Sequence, residues 1–188
     1  RQVAGLLERE LTPLSLPSRE TRRRLVDISQ RGTLRRELAC AHQDSALLIY
    51  YQSPSSHPRD IACFTLANHL LASTFFHELR TRQQLGYVVG TGNLPLNRHP
   101  GLILYIQSPV AGPQELLDAI ELFIDDFYLV LMELSEQTWQ ESKQGLLGQL
   151  QEKDANLRTR SQRLWVSVGS RDFHFNQREK VAEAVAHM

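Results

Sequence analysis

Phe75-Phe76-His77-Glu78-Leu79-Arg80-Thr81-Arg82-Gln83-Gln84-Leu85-Gly86-Tyr87-Val88-Val89-Gly90 joins the end of an apolar helical pattern to a β-type run. Upstream of it, Ile61, Phe64, Asn68, Leu71, Phe75 and Leu79 recur at three- and four-residue spacings, which sets them on one stripe of a helix. That helix opens near Pro58, whose missing N–H costs nothing there, behind serines at 53, 55 and 56 that are candidate caps. It runs to about Leu79. Residues 84–91 and 102–108 read as β segments, and their closeness predicts an antiparallel pair joined by a long loop over residues 92–101. Between helix and strand lies a dense polar turn, a junction able to aim side chains at a ligand.

Working outward, residues 45–52 are near-continuous β-formers with an apolar centre and predict a strand covered on at least one face. Residues 22–30 and 34–41 read as two further strands around Arg31-Gly32, with alternation weakened by arginines. Residues 2–11 read as a short helix, and the two prolines of residues 12–18 as an extended linker. After the β pair, Gly112-Pro113-Gln114-Glu115 starts a helix whose core stripe is Leu116, Ile120, Phe123, Phe127 and Leu131. Ser135 caps a helix carrying Trp139, Leu146 and Leu150, a shorter helix spans about 156–168, and Asn176 with Glu179 forms a capping-box pattern opening the last one. Strands first and then mostly helices predict an α+β fold, a largely antiparallel sheet with helices packed on one face.

The chain has 188 residues, with 21 basic against 21 acidic side chains, so its overall charge favours no polyanionic partner. Apolar runs such as residues 46–51 are far short of a membrane span. Cys40 and Cys63 lie in unrelated apolar settings and read as small core residues. The first residue is Arg1 and the helical pattern still runs at Met188, so the expectation is a piece of a longer chain.

Metal and nucleophile motifs can be tested one by one. No histidine begins an H-x-x-E-H motif, and His77-Glu78 opens an H-E-x-x-H frame in which Thr81 stands where the second ligand belongs. His69 and His77 are roughly 12 Å apart along a helix axis, too far to share one ion without a bend. There is no G-x-S-x-G elbow. Asp125 and Asp126 are helical neighbours that face different sectors and read as solvated surface. The basic runs 22–24 and 158–163 lack interleaved aromatics or a nucleic-acid fold motif and read as salt-bridged or solvated surface.

Each residue of the polar turn has a purely structural account as well. Arg80 can serve the helix's own C-terminal carbonyls, Gly86 can mark a bulge, and Tyr87 can be an ordinary strand aromatic. As a string, however, Phe-Phe-x-x-Leu-Arg-Thr-x-x-Gln-Leu-Gly-Tyr-Val-Val, followed by a strand ending Ile106-Gln107-Ser108, resembles the insulysin and pitrilysin family of chambered zinc peptidases, the inverzincins. Weaker similarity extends from about Ala46 through residues 173–176.

The resemblance implies a two-halved enzyme: the N-terminal half holds zinc, and the C-terminal half, built of two similar domains, closes over a peptide in an internal chamber. It implies that residues 19–188 are an inactive peptidase-like domain, the first of that C-terminal half and truncated at its C-terminus, with residues 1–18 the end of the preceding domain and a linker. The family's Arg and Tyr fall on Arg80, a substrate binder in trans, and Tyr87, an oxyanion stabiliser in trans, with Gln84 and Gly86 as substrate-binding neighbours. No cofactor or metal site is expected in this chain itself, and zinc is expected in the full-length enzyme. Expected partners are the N-terminal catalytic half of the same polypeptide and peptide substrates, with no nucleic acid and no membrane. The expected source is bacterial, with periplasm and cytoplasm both open. Two alternatives stand beside this: a scaffold or interaction domain of a catalytically decayed relative, and part of a peptidase that processes the pyrroloquinoline quinone precursor peptide.

Overall fold

The computed structural model describes residues 32–169 and 174–188, together with Arg9, Leu25, Val26 and Ile28. The helix read at 2–11, the linker at 12–18, the strand at 22–30 and the basic run at 22–24 lie outside the described residues, those four positions apart. Among the described residues, three strands and five α-helices follow in order: β1 (Ser45–Gln52), α1 (Pro58–Phe76), a π-helical turn (His77–Arg82), β2 (Val88–Asn93), β3 (Gly101–Ser108), α2 (Pro113–Met132), α3 (Glu136–Gln151), α4 (Leu157–Gly169) and α5 (Gln177–Ala186).

The sheet is antiparallel with order β1-β3-β2. Its register pairs Leu47 and Val89 with Ile106, and Ile49 with Leu104, so these five side chains share one face. Against that face pack Leu71, Phe75 and Leu79 from the first helix and its π turn, and Leu116, Ile120 and Phe123 from α2. Phe75 and Phe123 meet edge to face, with ring centroids 5.2 Å apart. The α+β layer with helices on one face of an antiparallel sheet is therefore the observed architecture.

The apolar stripe of α1 is wider than the single line read from the sequence. Ala62 and Leu66, outside that stripe, are buried against Leu146 of α3 and Val181 and Val185 of α5, forming a second core. Thus α1 faces the sheet with one side and the C-terminal helices with another. Lys143 is buried beside this second core, and its ammonium donates to the Ala186 carbonyl at the end of α5, which the helix leaves without a partner of its own. Arg163 of α4 makes two hydrogen bonds to Asp154 at 2.8 and 3.2 Å, and Arg178 of α5 approaches the same carboxylate at 3.6 Å. That part of the basic run is salt-bridged, as read.

Several expectations need correction. Residues 34–41 form no strand: they carry no regular structure, and Leu34 and Leu38 are exposed. Arg35 and Arg36 are adjacent, so a strand there would put charge on both faces and leave neither free for a core. Cys40 and Cys63 are exposed free thiols, not core residues. The cap of α1 is His57, whose Nδ1 accepts the Arg59 N–H, while the Ser55 hydroxyl accepts the His57 N–H one step earlier. Asn176 makes no capping hydrogen bond; it is Asn156 whose side chain caps its helix, accepting the Thr159 N–H at 2.9 Å.

The β2–β3 connection is tighter than a long loop. Leu96 and His99 exchange backbone hydrogen bonds of 3.0 Å around Asn97 and Arg98, both at positive φ (46° and 72°), a left-handed pair of the type I′ class. No helix among the described residues is long and apolar enough to cross a membrane.

Candidate functional site at the helix-to-strand corner

The polar turn between helix and strand is a π-helical turn. Its wider winding bonds the Gln83 N–H to the Glu78 carbonyl, five residues back, and the Leu85 N–H to the Leu79 carbonyl. Leu79 is fully buried and anchors the turn, while Arg80, Thr81 and Arg82 are exposed on its outside. The two arginines have different fates. Arg82 holds the Glu78 carboxylate through two hydrogen bonds, and Gln83 adds a third at 2.6 Å. The Arg82 bond, with help from Gln83, keeps the Glu78 carboxyl below its ordinary pKa. Arg80 has no hydrogen-bond or ion-pair partner among the described residues, so the site presents one committed and one uncommitted guanidinium.

Beyond the turn the chain does not enter the sheet at once. Gln84 is exposed at φ 53°, a left-handed conformation that costs a non-glycine residue about 1 kcal/mol. The strand begins at Val88, four residues later than read, because the Leu85 amide is committed to the turn. Gly86 is buried directly against β3: a Cβ there would lie 2.9 Å from Ile106 Cγ1 and closer still to the Gln107 carbonyl oxygen. Glycine is required here by this close backbone approach. The Tyr87 N–H then donates to that same Gln107 carbonyl at 3.1 Å.

This crossing leaves the Tyr87 side chain about half exposed, with its hydroxyl 2.7 Å from Asp44 Oδ2, to which it donates. The Asp44 bond raises the phenol pKa above its ordinary value and keeps Tyr87 a protonated donor. Gln107 Nε2 reaches the same carboxylate oxygen at 3.5 Å. Asp44 is held in turn by its own backbone N–H, which donates to His42 Nδ1 at 3.1 Å.

Arg80, Gln84 and Tyr87 are thus exposed on one corner, with Gly86 buried beneath them. Sequence reading missed Asp44 and the side-chain part played by Gln107. The signal for Asp44 was weak: it stands one residue before β1, and only the pairing of Ser45 with Ser108 brings it to the end of β3 where Tyr87 enters.

No group of three His, Cys, Asp or Glu side chains among the described residues could hold a metal ion, so these residues do not fit a zinc site. An apolar groove of about 490 Å³ lies elsewhere, lined by Leu66, Leu70, Leu131, Trp139 and Met188 and by none of the corner residues.

The family model described as "PQQ synthase PqqF-like, C-terminal lobe domain 4" matches residues 66–165, more than half of the chain and all of the corner. Coenzyme PQQ synthesis protein F of Pseudomonas protegens is 34% identical over 122 residues, covering 65% of this chain and 15% of that protein. Human insulin-degrading enzyme is 27% identical over 176 residues, covering 92% of this chain and 17% of that protein. Among solved structures, pitrilysin superposes with a TM-score of 0.71 at 20% identity over 80% of this chain and 16% of that one, a likeness of fold. The chain belongs to the insulysin and pitrilysin family of zinc peptidases and corresponds to their C-terminal region. Its matching segment is the one described as domain 4 of the C-terminal lobe in PqqF-like proteins, whereas the sequence reading placed it in the first domain of the C-terminal half. The chain spans about a sixth of these relatives' length.

Proposed function

We propose that this chain is the non-catalytic, substrate-completing domain of a zinc endopeptidase whose metal is held by an N-terminal half of the same polypeptide. Residues 19–188 form the domain, and the corner closes one side of the peptide chamber. The observation that carries this reading is the division of labour at the corner, where a π turn commits Arg82 to Glu78 and leaves Arg80 exposed and without a partner among the described residues, four residues before the exposed Gln84 and seven before the exposed phenol of Tyr87.

Hydrolysis of a peptide bond places negative charge on the carbonyl oxygen. A phenol fixed beside that oxygen donates a hydrogen bond that strengthens as the charge grows. A planar guanidinium with five donors suits a neighbouring substrate carbonyl or carboxylate. Gln84, held in a left-handed conformation, and the backbone around Gly86 provide further polar contacts for an extended peptide. In this reading the metal and whatever it activates belong to the other half, in keeping with the zinc proteases among the relatives.

In the full polypeptide, Tyr87→Phe lowers kcat by about a hundredfold, roughly 3 kcal/mol, the scale of one oxyanion donor. Cleavage of a mixed peptide library is abolished by chelator. Unchanged turnover in Tyr87→Phe removes the phenol from the reaction, and chelator-insensitive cleavage or none at all removes the zinc-peptidase reading.

A narrower reading concerns the substrate. The match to a model described for PqqF-like proteins, and the Pseudomonas relative named for coenzyme PQQ synthesis, favour the precursor peptide of pyrroloquinoline quinone as the peptide cleaved. Preferential cleavage of that precursor over unrelated peptides of equal length is the expected result.

A further inference from the structure

We infer that Asp44 is a positioning residue for Tyr87: in the resting protein it holds the single hydroxyl proton that the reaction needs, so Tyr87 serves the substrate only after that bond is given up. The inference rests on the reading of Tyr87 as a donor to the reacting carbonyl. Its basis is the 2.7 Å bond from the Tyr87 hydroxyl to Asp44 Oδ2.

A phenol has one proton, and its O–H lies in the ring plane in one of two orientations. In this structure the proton points at a carboxylate, an acceptor of charge-assisted strength. A neutral substrate carbonyl is a weaker acceptor and does not displace it. An oxygen that has gained full negative charge does. Asp44 therefore withholds the Tyr87 proton from the ground-state complex and yields it only to the charged species, at the cost of one strong bond.

The other groups around Asp44 do not substitute for Tyr87. Gln107 Nε2 meets Oδ2 at 3.5 Å, the outer limit of a hydrogen bond. His42 Nδ1 stands 3.8 Å from Oδ1, but it accepts the Asp44 backbone N–H, and a nitrogen accepting that bond carries no proton to offer the carboxylate. Asp44 also ends residues 32–44, which have no regular structure, so its side chain is carried by irregular backbone on one side and by β1 on the other.

Asp44→Asn tests this in the full polypeptide. The substitution conserves size, and its carboxamide can turn an N–H toward the phenol oxygen, which frees the Tyr87 proton. The expected result is a rise in kcat of about tenfold with KM nearly unchanged, the factor a hydrogen bond to a charged group is worth. In a Tyr87→Phe background the same substitution is expected to do nothing, because there is no proton to release.

A fall or no change in kcat for Asp44→Asn, while Tyr87→Phe alone is impaired, overturns the role of Asp44 and leaves the reading of Tyr87 standing. An equal rise in the Tyr87→Phe background also overturns it, since the effect then bypasses the phenol. A Tyr87→Phe variant as active as the parent overturns both.

Discussion

Replacing Gly86 by alanine is the sharpest test of how the corner is built. The added methyl would stand 2.9 Å from Ile106 Cγ1 and press on the Gln107 carbonyl oxygen. The Ile106 side chain is buried in the main core, and the Gln107 oxygen belongs to the central strand, so neither yields cheaply. Relief requires the segment before β2 to move away from β3. That loses the 3.1 Å bond from the Tyr87 N–H to the Gln107 carbonyl, about 1 kcal/mol. Overpacking against Ile106 adds about 2 kcal/mol. The expected total is about 3 kcal/mol of destabilisation, read as a lower urea midpoint with an unchanged slope. Gly148→Ala is the control: it is an exposed α3 position with nothing within 4 Å of a Cβ, and there alanine stabilises by about 1 kcal/mol through helix propensity. A Gly86→Ala midpoint equal to the parent's would refute the claim that close approach to β3 is what requires glycine.

Two further outcomes follow from the geometry. Arg98→Gly relieves a φ of 72° in the type I′ turn and raises stability by about 1 kcal/mol, measured by the same denaturation; a loss of stability would show that the arginine side chain offsets its backbone strain. Glu78 has a folded pKa below its ordinary 4.5, so its contribution to stability is complete above that value and is lost as the pH falls through the depressed one. Between pH 6 and pH 3 the parent should therefore lose more stability than Glu78→Gln, and equal losses would show that the Arg82 pair adds nothing.

Much of the fold was legible in local pattern. β1 coincides with its predicted range, and α1, α2, α3 and α4 begin within a residue or two of their predicted starts, because proline at the first turn, a serine cap and spaced apolar residues are local signals. The family string was legible too. The strand at 34–41 failed because β propensity without an apolar face earns no partner, and the two cysteines failed because an apolar neighbourhood in sequence is not burial in space.

What the sequence determined by itself is the order of elements, the α+β class and the family, each of which depends on residues close together in the chain. What only tertiary structure decided is the use made of the corner. Whether Arg80 or Arg82 is left without a partner among the described residues depends on a π turn that brings Glu78 to Arg82. That Gly86 has no room for a side chain depends on the register of β2 against β3. And the partner of Tyr87 is an aspartate 43 positions away, delivered to it by strand pairing alone, since hydrogen bonds form between neighbours in space and not in sequence.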